Sequence, residues 1–144
     1  MKKRVLSLLM AFVMVISLLP ATTRAAENNE AATIPAYVTV SVDGTFAEGK
    51  ENAKMGGIPV TATDRNGDGR VNIDETLLAA HEAYYSSGAD GYDSYTGSYG
   101  LSLGKLWGDE SGPFGYYVND ASAWSLDDTV ADGDRLTAFV YQDK

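Results

Sequence analysis

Hydrophobic and polar positions alternate most regularly along Tyr37-Val38-Thr39-Val40-Ser41-Val42, a β-branched run of period two that closes on the turn pair Asp43-Gly44 and predicts a strand. A polar stretch through Gly56-Gly57 leads to Ile58-Pro59-Val60-Thr61-Ala62-Thr63, where Pro59 restricts the strand to a sheet edge or a strand start. The two runs are expected to pair as a hairpin with a long loop. From Glu75 the period changes. Glu75 to Tyr85 is rich in helix formers and sets Leu77, Leu78, His81 and Tyr85 on one broad face, with Ser86-Ser87-Gly88 ending the helix. Residues 89–104 are dominated by Gly, Ser, Tyr and Asp and predict irregular loop or short strands. Gly115-Tyr116-Tyr117-Val118-Asn119 and Arg135 to Tyr141 read as two later strands. The order of strand, strand, helix, then strands describes an α+β domain without internal repeats.

The N-terminus carries a different signal. Lys2, Lys3 and Arg4 precede an apolar run from Val5 to Leu19, and Thr23, Ala25 and Ala26 supply small residues for cleavage, so residues 1–25 read as a secretory signal peptide. At roughly 15 residues the run is short for a membrane span, and no transmembrane segment is expected after cleavage. Residues 26–36 are small and polar, read as a flexible lead-in, and the domain is expected over 37–144. The expected location is extracellular, with retention at a bacterial cell surface through binding.

Composition narrows the chemistry. The 144 residues allow one ordinary domain, and the formal net charge is −9. Removing residues 1–25 takes away Lys2, Lys3, Arg4 and Arg24, so the basic count falls from 11 to 7 against 20 acids, a net charge of −13. Such a surface excludes nucleic acid as a partner, since phosphate needs Lys and Arg, and favours cations. There is no cysteine, so disulfides and a lipid-attachment cysteine are both excluded and a structural metal would matter.

Asp64-Arg65-Asn66-Gly67-Asp68-Gly69-Arg70-Val71-Asn72-Ile73-Asp74-Glu75 fits the twelve-position calcium loop of an EF-hand. Asp64, Asn66 and Asp68 place oxygens at alternate positions, Gly69 permits the sharp turn, Arg70 offers its carbonyl, and Glu75 closes the shell bidentately. Asn72 is expected to act through water, and Ile73 to pack the loop. The preceding residues, Val60 to Thr63, look like strand, which gives a strand-loop-helix calcium site. Ca2+ is therefore the expected cofactor. An Asx-rich surface turn feeding a helix would use the same residue types, but it requires neither Gly69 nor an acid at Glu75. Asp127 to Asp134 lacks the spacing for a second loop.

The loop alone is similar to one half of a dockerin repeat, which implies a protein-assembly module as an alternative function. The wider pattern resembles the bacterial secreted relatives of the transcobalamin C-terminal domain. The resemblance rests on Val38 to Gly44, Thr76-Leu77-Leu78-Ala79-Ala80, Phe114 to Asn119 and Val130 to Leu136, and spans Tyr37 to Gln142. It implies a β-grasp-like small mixed sheet packed on one helix, into which the calcium loop is inserted. It also implies a ligand-binding or adhesive role, with corrinoid binding as a lesser alternative because the helical domain of vitamin B12 carriers is absent here.

Trp107, Phe114, Tyr116, Tyr117 and Trp124 cluster among glycines, and Trp107, Tyr116, Tyr117 and Trp124 are candidates for stacking a small molecule or glycan. Burial in the core is the competing reading, as alternation puts Tyr116 and Val118 on one face of a strand and Tyr117 on the other. Catalysis is not expected. His81 is the sole histidine and sits on or beside the apolar helix face, no serine occupies a Gly-x-Ser-x-Gly turn, and Asp109 and Glu110 diverge on a strand. One histidine and no cysteine also leave only hard oxygen ligands, which suit calcium and not zinc.

Overall fold

The computed structural model describes residues 31–47 and 57–141. The segment 1–25, expected as a signal peptide, and residues 26–30 of the expected lead-in lie outside the described residues. Strand β1 spans Thr33–Val42, β2 Thr45–Phe46, β3 Ile58–Thr63, helix α1 Ile73–Tyr84, β4 Asp93–Gly97, β5 Gly100–Lys105, β6 Phe114–Val118, β7 Ala121–Ser122 and β8 Arg135–Val140. A 3-10 turn at Gly88–Gly91 follows the helix. The chain is of α+β class, a mixed sheet with one α-helix among the described residues.

The sheet runs β2-β1-β8-β6-β7, with β3 also paired to β1. Strand β1 lies parallel to β8 and antiparallel to β3 and β2, so β3 and β2 share the edge of β1 opposite β8. This is the expected long-looped hairpin. Its Pro59 lies on an outer strand, where a missing N–H costs no ladder bond.

Strand β1 begins four residues before Tyr37, which corrects the expected start of order. Thr33 to Ala36 are small or polar, yet they pair in register with Thr63 to Val60. Ile34 and Ala36 continue inward the alternation that Val38 and Val40 carry, so a distant partner strand orders a stretch whose own composition is weak.

Pairing of Val38 with Leu136, Val40 with Ala138, and Ala138 with Tyr116 aligns the inner face of the sheet. Against that face pack Ile73, Leu77 and Ala80 of α1 together with Leu103, Leu106, Leu126 and Val130. Each buried Leu, Ile or Val among them contributes about 1.5–3 kcal/mol relative to exposure. Among the described residues no helix is long and apolar enough to cross a membrane.

The helix starts two residues earlier than its change of period suggests. Asn72 Oδ1 accepts from the Glu75 N–H at 2.9 Å, and Glu75 Oε2 accepts from the Asn72 N–H at 3.1 Å, a reciprocal capping box. Leu77 and His81 are buried as expected, but Leu78 and Tyr85 are only half-buried; Ile73, Thr76 and Ala80 complete the inward face. Residues 93–105 form a separate β4–β5 hairpin. Leu103 anchors it in the core, and the Leu126 N–H donates to the Leu101 carbonyl at 2.9 Å.

Candidate functional site

The loop from Asp64 to Glu75 leaves β3 and enters α1. Its start is pinned by the Asp64 N–H, which donates to the Ala32 carbonyl at 2.8 Å. Its end is pinned where Asn72 bridges to Thr129 and the Ile73 N–H donates to the Asp128 carbonyl at 3.1 Å. Between these anchors Gly67 and Gly69 adopt φ of 78° and 85°, the left-handed region where a side chain is strained.

The backbone curls around carboxylate and amide oxygens. Asp64 Oδ1 accepts from the Gly67 N–H at 2.7 Å and Oδ2 from the Gly69 N–H at 2.8 Å. Asn66 Oδ1 accepts from the Asp68 N–H at 2.8 Å, and Asp68 Oδ1 from the Arg70 N–H at 2.9 Å. Glu75 reaches back across the loop, its Oε1 accepting from the Arg65 and Asn66 N–H groups at 2.6 and 3.1 Å. Asp64 and Glu75 are only 6% and 3% exposed. Among the described residues neither takes part in an ion pair; the pairs formed are Arg65 with Glu82, Arg70 with Asp68 and Lys105 with Glu110.

The donor set fits a hard divalent cation in type. Both Asp64 oxygens and Glu75 Oε2 each keep a second lone pair beyond one N–H partner, whereas Glu75 Oε1 and Asp68 Oδ2 each already accept from two donors. No hydrogen bond among the described residues uses the Arg70 carbonyl. Among the described residues no three His, Cys, Asp or Glu side chains form a metal-binding group. Asp64, Asp68 and Glu75, the three acids of the expected set, are thus not gathered into such a group, and the other expected donors, Asn66 and the Arg70 carbonyl, are of types outside it. Asn72, expected to act through water, has its Oδ1 committed to the helix cap. That role was legible as Asn72-x-x-Glu75, the spacing of a capping box.

Two further groups attach the two ends of the helix to the rest of the domain, Asp74 in its first turn and His81 in its last. Tyr92 Oη donates to Asp74 Oδ1 at 2.7 Å, and burial, followed by the Asp74 carboxylate, pushes the Tyr92 phenol upward from its ordinary value. His81 is fully buried, its ring 5.0 Å from that of Tyr92 and 4.7 Å from that of Trp107. Tyr92 and Trp107 both lie outside the helix, Trp107 well beyond it, and the helix pattern marks neither.

The four candidate stacking residues are not collected on one surface. Trp107 is half-buried and packs edge-on to Tyr85 at 5.4 Å as well as on His81, a core role. Tyr116 faces inward, aligned with Ala138, whereas Tyr117 lies on the outer face and stacks on Phe139 at 5.7 Å. Trp124 is 91% exposed, and its backbone N–H donates to Asp128 Oδ2 at 2.9 Å. Tyr116 instead lines a cleft of about 360 Å³ with Tyr95, Ser102, Ser111, Pro113 and Phe114.

No protein-family model matches the chain, no curated protein matches it, and no solved structure matches it.

Proposed function

We propose that the chain is an exported, non-enzymatic module that holds one structural Ca2+ in the 64–75 loop and presents a ligand-binding or adhesive surface outside the cell. The observation that carries this reading is the pair of buried carboxylates, Asp64 and Glu75, at the two ends of one loop with no cationic side chain paired to either among the described residues. A divalent ion supplies the missing charge, ties the end of β3 to the start of α1, and takes over part of the stapling that disulfides give other exported domains.

A β-grasp-like arrangement of the transcobalamin-related type is supported by the β1–β3 hairpin, the following helix and the last strand returning parallel to β1. The dockerin-like alternative gains no support. Ala79, on the helix that such docking would use, is buried, and Glu82 is engaged by Arg65.

Calorimetric titration with calcium after chelation tests the reading. One site is expected, with a dissociation constant on the order of 10⁻⁴ to 10⁻³ M and loss of the site in Asp64→Ala. At a calcium concentration twentyfold above that constant, the stabilisation is about 1.8 kcal/mol, visible as a raised melting temperature. Absence of heat up to about 10 mM calcium sinks the proposal and leaves an Asx-rich turn.

A further inference from the structure

The cleft beside Tyr116 has walls from two separately pinned elements. One wall is the β4–β5 hairpin, fixed by Leu103 in the core. The other is the 111–114 corner, where Asp109 Oδ1 accepts from the N–H and hydroxyl of Ser111 at 2.7 and 2.5 Å and the Pro113 carbonyl accepts from the Tyr141 N–H at 2.8 Å. The volume of about 360 Å³ falls within the range of small-molecule sites.

Its lining combines rings with neutral hydroxyls. Tyr95 is 54% exposed, and Phe114 and Tyr116 are half-buried. Among the described residues the Tyr95 and Tyr116 hydroxyls make no hydrogen bond. The Ser102 hydroxyl reaches only the Gly100 carbonyl at 3.5 Å. Ser111 donates its proton to Asp109 and keeps its acceptor lone pairs. No side chain of the lining carries a formal charge.

This pattern selects among ligand classes. An apolar flat molecule would cover the phenol and serine hydroxyls without pairing them, each at a cost. An anion would meet no cationic side chain in the lining, on a chain of net charge −9. A neutral polyol ring satisfies both demands, with C–H faces to lie on aromatic rings and hydroxyls that donate and accept. We propose that the cleft binds a neutral saccharide, with one pyranose ring stacked between Tyr95 and Phe114 and its hydroxyls paired to Tyr116 Oη and Ser102 Oγ. The proposal rests on the reading of the chain as a ligand-binding module and names the ligand class and site; it does not rest on the calcium.

The test is calorimetric titration of the purified protein with maltohexaose, cellohexaose and chitohexaose, with polygalacturonate as the anionic comparison. Each titration is run in about 5 mM calcium and again with chelator. Saturable binding of at least one neutral hexamer is expected, weakened about threefold to tenfold by Tyr116→Phe and at least as much by Tyr95→Ala. Phe139→Ala, on the outer face of the sheet, is expected to leave it unchanged. Both cleft variants alter partly exposed side chains, and their amide spectra establish that they are folded. Silence from all three neutral hexamers, preference for polygalacturonate, or binding lost in Phe139→Ala but kept in Tyr95→Ala each overturns the proposal. Sugar binding with a silent calcium titration would remove the calcium reading alone, and the reverse result would remove the cleft alone.

Discussion

The backbone N–H of Trp107 donates to Nε2 of His81 at 2.8 Å. Because Nε2 accepts, the ring proton resides on Nδ1, which donates to the Leu77 carbonyl at 2.6 Å. Both nitrogens are thereby satisfied in a neutral imidazole, and His81 joins the helix to a corner 26 residues away. Trp107 adopts φ of 51° there, a left-handed conformation unusual for a bulky residue. The sole histidine of the chain is a packing residue with no lone pair or proton left for catalysis.

Burial pushes the His81 pKa below its ordinary value, an effect only partly opposed by the Leu77 hydrogen bond. The unfolded chain therefore binds a proton at a pH where the native chain does not, and stability falls as pH decreases below the ordinary histidine value. Thermal melts in chelator from about pH 7.5 to 5.5, above the ordinary carboxylate range, isolate this group. The natural protein is expected to lose melting temperature across that window. His81→Gln, which keeps a donor and an acceptor but does not titrate, is expected to melt lower at pH 7.5 and with a flatter pH dependence. Parallel curves for the two proteins would show that His81 is not the source of the slope.

Tyr92 Oη and Asp74 Oδ1 form a link between the turn after the helix and the end of the 64–75 loop. A hydrogen bond to a carboxylate contributes about 1.5–3 kcal/mol. Tyr92→Phe keeps the ring beside His81 and removes only the hydroxyl, so a loss of that size is expected in urea unfolding with an unchanged denaturant slope. A cost below about 0.5 kcal/mol, the range of a neutral surface change, would mean that water replaces the phenol at Asp74.

The parts of the fold carried by local periodicity were legible. β3, α1, β6 and β8 lie where their patterns put them, and Pro59 marked an outer strand. What failed depends on partners distant in sequence. Thr33 to Ala36 become strand through pairing with residues 60–63. Residues 93–105, read as loop or short strands, do form two short strands, but their pairing into a hairpin held through Leu103 in the core and the Leu101 carbonyl at Leu126 had no local signal. Within the aromatic cluster 107–124 the alternation already put Tyr116 and Tyr117 on opposite faces, as the strand does, but it gave no sign of which residues face Tyr116. Tyr95, which shares the cleft with Tyr116, is contributed by the hairpin, and no spacing rule joins them. In the 64–75 loop, by contrast, the side-chain oxygens of Asp64, Asn66, Asp68, Asn72 and Glu75 accept only from residues of the same loop, so position in the sequence and position in space coincide.

Glu75 separates the capping role from the cation role. Its two oxygens accept from the Arg65, Asn66 and Asn72 N–H groups, a task a neutral amide shares in part, whereas closing a calcium shell requires a bidentate carboxylate. Glu75→Gln keeps one acceptor oxygen and is expected to cost about 1 kcal/mol without calcium, while Glu75→Ala strands all three donors and costs about 2–4 kcal/mol. On addition of calcium the natural protein is expected to gain melting temperature and both variants to gain none. If Glu75→Gln responds to calcium as the natural protein does, the carboxylate serves only as the cap of α1. The ion is then held without the twelfth position of the loop.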